Sequence, residues 1–187
     1  MQQKTNERRF HGSPERLESE QRLAFLEIDR VVNLCIEGLK SGRVLDIGTG
    51  TGVFARAFVG KGFAVAGIDV NDSLLELARK KVPQAEFQKA VAEKLPYKDG
   101  AFAIAFLGHL LHEADDPVQV LREAGRVAKT RVAVLEWPYE KGEHGPPLEH
   151  RLSSETILGM ARQAGLHDVE HLRLKHMDFY RMTPGRA

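Results

Sequence analysis

Gly48-Thr49-Gly50-Thr51-Gly52 sets three glycines at alternate positions, after the apolar run Val44-Leu45-Asp46-Ile47 and before a second run that begins at Val53. Glycines at this spacing let the backbone turn sharply and let a ligand approach with no Cβ in the way. Ordinary turns also use glycine, so the loop needs company. It has it in Asp69, which closes the next apolar run in Gly67-Ile68-Asp69-Val70. A carboxylate there can accept hydrogen bonds from both hydroxyls of a ribose. The alternative is a turn or helix-cap aspartate, but Asp72 and Ser73 already offer the cap and leave Asp69 to a ligand.

The spacing also discriminates between nucleoside cofactors. A dinucleotide fingerprint, G-x-G-x-x-G, begun at Gly48 would need glycine at position 53, where the chain has Val53. Asp46 lies two residues before the first glycine, at the end of a buried strand. A carboxylate there is a poor neighbour for a pyrophosphate and suits a cofactor that carries an ammonium and a sulfonium. Both details favour S-adenosylmethionine over NAD.

Groups that could move a proton are few. His109 and His112 follow a strongly apolar run, Ala101 to Leu107, and their separation of three puts them on one face if the segment is helical. They are the candidate catalytic residues, against the alternative that they pack or cap the strand exit. Further on, Glu136-Trp137-Pro138 leads into Gly145-Pro146-Pro147-Leu148-Glu149-His150-Arg151-Leu152-Ser153. Trp137 is a candidate for the acceptor pocket or for the sheet edge. Arg151 either holds an anionic acceptor or ties this loop to the core. His144, Glu149 and His150 have no recognised ligand spacing, so no metal site is expected. Cys35 shares an apolar stripe with Val31, Leu34 and Leu39 and reads as a small core residue.

The elements that must position these residues alternate. A polar opening, residues 1–13, precedes a helical leader that follows Pro14 and ends by Gly42. Strands are predicted over Val44 to Ile47, Phe63 to Ile68, Ala85 to Lys89, Ala101 to Leu107 and Arg131 to Trp137. Helices are predicted over Val53 to Val59, from a cap at Asp72 or Ser73 to Pro83, after Asp116-Pro117, and from a cap at Ser154 to Gly165. Two last strands, Val169–Leu174 and Asp178–Met182, are too close for a crossover helix and should pair antiparallel. Apolar strands alternating with helices predict an α/β, Rossmann-like sheet, mostly parallel, with helices on both faces. One domain is expected over 1–187, with a leader to residue 41 and the core from 42.

In this order the motifs resemble those of class I S-adenosylmethionine-dependent methyltransferases, in particular the ubiquinone/menaquinone-biosynthesis-like branch. Val44 through Gly52 resembles motif I, and Gly67-Ile68-Asp69 the ribose-binding second motif. Ala92-Glu93-Lys94-Leu95-Pro96-Tyr97 resembles the adenine-bracketing segment, and Phe102 through Pro117 the fourth strand and its exit. The resemblance implies a seven-stranded sheet. It also implies cofactor contacts from Asp46, Gly48, Thr49, Gly50 and Gly52, from Asp69 and Val70, from Ala92 and Glu93, and from Leu107 and Gly108. His109 would wall the site below the reactive methyl. The chain departs from the family in Val91 and Ala103, each where an aspartate is common, and in Thr49, where a cysteine is usual.

Composition narrows the rest. A net charge of +1 lacks the basic excess of a protein that grips a nucleic-acid backbone, so no nucleic-acid partner is expected. A single cysteine excludes an intrachain disulfide. The segment from Met1 to Arg9 lacks the apolar run of a signal peptide, and no stretch is apolar for long enough to span a bilayer; a cytoplasmic location is the expectation. The expected function is methyl transfer to a small-molecule acceptor by in-line displacement. The competing one is a non-catalytic S-adenosylmethionine-binding regulator or partner.

Overall fold

The sheet grows outward from a central strand that is buried on both faces. Val44, Leu45 and Ile47 are fully buried, because this strand is covered on both faces, and Arg43–Ile47 forms the central β1. The computed structural model describes residues 17–142 and 144–185; the polar opening and the start of the leader after Pro14 lie outside them. The other strands are β2 (Ala64–Asp69), β3 (Glu86–Lys89), β4 (Phe102–Gly108), β5 (Ala128–Glu136), β6 (His167–Arg173) and β7 (Asp178–Thr183). They form one seven-stranded sheet in the order β3-β2-β1-β4-β5-β7-β6. β1 to β5 pair in parallel, and β7 is antiparallel to both β5 and β6, so β7 alone runs against the rest. The order reverses between β1 and β4, and their carboxyl ends part to leave a crevice, the usual ligand position in open α/β sheets.

Among the described residues six α-helices flank the sheet: α1 (Glu20–Leu26), α2 (Ile28–Ile36), α3 (Val53–Gly60), α4 (Asp72–Lys81), α5 (Pro117–Val127) and α6 (Ser154–Gln163). Strand alternation divides the core. Leu45, Ile47 and Leu107 pack with Leu121 and Val127 of α5 and Ile157 of α6 on one face. Val44 and Phe106 pack with Val32 and Cys35 of α2 and Phe58 of α3 on the other. Cys35 is a buried core residue, as its stripe predicted. Among the described residues no helix is long and apolar enough to cross a membrane.

The boundaries differ from expectation where side chains override periodicity. Among the described residues the leader from Glu20 to Ile36 is two helices, broken at Glu27, which adopts a left-handed backbone (φ 45°). The break is held by the Glu27 carboxylate, which accepts from Arg30 at 3.0 Å and from the Lys175 backbone N–H at 2.7 Å. Leu39 therefore falls beyond α2. The cap of α4 is Asn71 rather than Asp72 or Ser73, with Oδ1 accepting from the Ser73 and Leu74 amides. The cap of α6 is Ser153 rather than Ser154. β5 starts at Ala128, three residues before the expected Arg131, because a register shift opposite Phe102 and Ile104 leaves Lys129 and Thr130 exposed and hides the strand's apolar pattern.

Candidate active site

Gly48, Gly50 and Gly52 all have left-handed backbones (φ 74°, 54° and 82°), a conformation that side-chain-bearing residues rarely adopt. The loop is fastened to the neighbouring strand: the Gly48 and Thr49 amides both donate to the Ile68 carbonyl, each at 2.9 Å. Asp69, at the end of β2, accepts from the Gly50 amide at 2.9 Å and from the Asn71 amide at 2.9 Å. Each bond uses a different carboxylate oxygen. The Val70 backbone also bears on this carboxylate, and since a carboxylate offers about four acceptor positions, Asp69 keeps capacity for a further donor. Burial pushes its pKa up from the usual aspartate value, against the pull of those backbone donors.

Asp46 behaves differently. It is 2% exposed, accepts from the Thr49 hydroxyl at 2.7 Å, and lies by the Ala55 backbone in the first turn of α3. Burial pushes it up to about 7. It stands behind the glycine loop and braces it.

On the other side of the crevice, β4 ends in Gly108 and His109. His109 takes a left-handed backbone (φ 58°), held by its amide donating to the Leu135 carbonyl at 2.8 Å. Its ring packs against Trp137, with centroids 5.2 Å apart, and among the described residues neither ring nitrogen has a hydrogen-bond partner. Burial, and then the nearby charges of Arg22 and His112, hold its pKa well below the ordinary value, so the imidazole is neutral. His112 sits in the short 3-10 turn Leu111–Glu113. Its Nδ1 lies 2.8 Å from Glu136, which is 2% exposed and also accepts the His112 and Trp137 amides. Burial opposes a charge on His112, but the Glu136 carboxylate outweighs it and holds the pKa above the usual histidine value.

These elements enclose a cavity of about 860 Å³, room for a drug-sized ligand and more. Gly48, Gly50 and Gly108 line it, with Asp69 and Val70 on one side and Ala92 and Glu93 beyond them. His109, His112 and Trp137 line the other side. Five expected contact residues do not line it. Asp46, Thr49 and Gly52 shape the loop from behind, a Cβ on Gly52 meeting Ala78 and Val82 of α4 at 3.3 Å. Leu107 points into the core. Arg151 donates to the carbonyls of Pro138, Glu140, His144 and Pro146 and stacks on Trp137 from outside (5.5 Å). Its donors are committed to carbonyls of the loop.

The structure adds residues that sequence reasoning missed. Arg22 and Phe25 of α1 and His144 line the cavity, and no motif marks them. Glu136 did carry a signal, a carboxylate ending an otherwise apolar run. The site fits S-adenosylmethionine on its own geometry. Glycine backbones leave space along the loop, Asp69 keeps acceptor capacity beside it, and the buried His109 nitrogens lack partners at the far end.

Comparison with known proteins agrees. The family model described as a methyltransferase domain matches residues 45–135. The demethylmenaquinone methyltransferase of Chlorobaculum parvum is 36% identical over 95 residues, 50% of this chain and 39% of that protein. The ubiquinone/menaquinone biosynthesis C-methyltransferase UbiE of Citrifermentans bemidjiense is 32% identical over 133 residues, 62% of this chain and 56% of that protein. The chain thus spans about half the length of the curated relatives it matches. A crystal structure of a SAM-dependent methyltransferase from Aquifex aeolicus superposes with a TM-score of 0.81 at 26% identity, covering 92% of this chain and 99% of that one. With the ordered motifs, the strand order and the cavity, these matches identify residues 45–135 as a methyltransferase domain of the class I S-adenosylmethionine-dependent kind, similar to the ubiquinone/menaquinone-biosynthesis enzymes.

Proposed function

We propose that the chain transfers the methyl group of S-adenosylmethionine to a small-molecule acceptor by in-line displacement. The observation that carries this reading is the single cavity that joins the glycine loop, Asp69 and Ala92-Glu93 to the His109–Trp137 wall. The cofactor supplies a methyl on a positively charged sulfur, an electrophile with a good leaving group. What remains for the protein is to align the acceptor, shield it from water and remove a proton where the acceptor carries one.

Asp69 holds the ribose with its spare acceptor capacity, next to Val70, and Ala92 and Glu93 flank the adenine. Gly48, Gly50 and Gly108 let the ligand lie against the backbone. Asp46, Thr49, Gly52 and Leu107 keep that surface in shape. His109 is the group that meets the acceptor: it is neutral, its ring nitrogens are unpaired, and Trp137 fixes its plane. His112 is tied to Glu136 and positions the strand exit. Trp137 walls the acceptor space with Arg151 behind it.

Calorimetric titration with S-adenosylmethionine and with NAD tests the cofactor half. The expected result is micromolar binding of the first and none of the second; no binding of S-adenosylmethionine to folded protein would sink the reading. Formation of S-adenosylhomocysteine with a panel of small acceptors tests the chemistry. Tight binding with no turnover across a broad panel would favour a non-catalytic binder.

A further inference from the structure

Helix α1 crosses the mouth of the cavity, and Ser19, Gln21, Arg22 and Phe25 face into it. Arg22 is half-buried there, and burial lowers its pKa against the opposing pull of Glu113. Among the described residues its guanidinium forms no hydrogen bond or ion pair; its one hydrogen bond runs from the backbone amide to the Ser19 hydroxyl. The other partly buried arginines are all engaged. Arg43 binds Glu86, Arg126 binds Glu123 and Asp99, Arg131 binds the carbonyls of Cys35 and Glu37, Arg151 binds four carbonyls, and Arg181 binds Glu37 and Glu170. A desolvated guanidinium without an acceptor is costly, and its planar fork matches a carboxylate.

The charges around it sharpen the point. Among the described residues that line the cavity Arg22 is the one lysine or arginine, and the other charged side chains are Asp69, Glu93 and Glu113. His112 is committed to Glu136, and His109 is neutral. His109 supplies a second, independent observation: it is only 8% exposed, lines the same cavity, and has both ring nitrogens unpartnered.

We propose that Arg22 is the anion anchor of this cavity, and that its guanidinium receives a carboxylate of a bound molecule. The proposal rests on the methyl-transfer reading of the cavity. Two molecules could bring that carboxylate: the cofactor, at its amino-acid end, or the acceptor. In both cases the leader helix belongs to the site.

Calorimetry with two nucleosides separates the sources. S-adenosylhomocysteine carries the amino-acid end, and 5′-methylthioadenosine carries the same nucleoside without it. If the cofactor brings the carboxylate, R22M weakens S-adenosylhomocysteine by about 10- to 100-fold, the range of a lost charge-assisted contact. It then leaves 5′-methylthioadenosine within about twofold, and R22K, which keeps the charge and loses the fork, falls between. If the acceptor brings it, both nucleosides bind R22M as they bind the wild type. Benzoate titrated into the S-adenosylhomocysteine complex then binds the wild type and not R22M. If R22M, folded by its thermal midpoint, matches the wild type for both nucleosides and benzoate, the proposal is overturned. The same holds if benzoate binds neither protein and the nucleosides are unaffected. Failure of both nucleosides to bind the wild type would instead overturn the underlying cofactor reading.

Discussion

Asp69 and Asp46 end neighbouring strands of the sheet and do opposite things. Asp69 lies at the cavity wall with spare acceptor capacity, so Asp69→Ala should cost about 1–3 kcal/mol of cofactor affinity. Titration of S-adenosylhomocysteine into the folded variant checks this, and unchanged affinity would remove the ribose role. Asp46 is buried beneath the first turn of α3, with its pKa raised to about 7. Between about pH 4, where the unfolded chain loses this proton, and pH 7, the native state holds it and the unfolded state does not. Stability contributed by this group therefore falls as pH rises through that window, by on the order of 4 kcal/mol in full. Asp46→Asn should flatten the thermal midpoint between pH 4 and 7, and an unchanged slope would place the titration elsewhere. The motif made Asp46 legible as a site residue but not its direction. Side chains alternate along a strand, so Asp46 shares the face of Val44, under α3, and turns away from the ligand.

At the scale of elements, the ends of β4, β5 and β7 are joined by buried charge. Glu136 and Asp178 stand directly opposite on antiparallel strands, both nearly buried, an arrangement that repels unless each carboxylate is matched. His112 matches the first at 2.8 Å, and the second faces the Arg173 guanidinium at 3.5 Å and the His171 ring at 3.0 Å. His112→Ala would leave Glu136 as an unpaired buried carboxylate and should cost about 3–5 kcal/mol in urea denaturation. The sign with pH follows from the raised pKa of His112. Its stabilising contribution is full below about pH 6.5 and is lost as pH rises through the higher folded value. The gap between wild type and variant should accordingly narrow from pH 6 to pH 9, and a constant gap would show that the pair does not titrate. Most strands and helices were legible from apolar runs and caps. The Glu27 break in the leader and the early start of β5 were not, because a left-handed glutamate held by distant partners and a bulge of exposed residues leave no period to read.

Across the whole molecule, the parallel sheet and the cavity cover are built on different physics. The central strands are sealed by core on both faces, whereas α1 is a seven-residue helix with one buried residue, Leu26. So short a helix is marginal on its own and depends on contacts. Those contacts reach across the cavity mouth: Glu18 pairs with Lys81 of α4, Gln21 bonds His144 at 3.2 Å, and Phe25 packs on His144 and His176. This explains why the cofactor half was readable from local motifs while the cover was not, since Arg22, Phe25 and His144 meet only in the fold. A ligand that fills the cavity adds contacts mainly to these weakly held parts and binds only the folded state. At a hundredfold excess over its dissociation constant it should stabilise the fold by about 2.7 kcal/mol, raising the thermal midpoint by roughly 5–10 °C for a chain of this size. Hydrogen exchange should slow most in residues 19–26 and 144–146, and little in β1 and β4, whose amides open only with larger unfolding. If saturating S-adenosylhomocysteine slows exchange at the glycine loop but leaves 19–26 unchanged, α1 is a passive cover and the two sides of the cavity are not coupled.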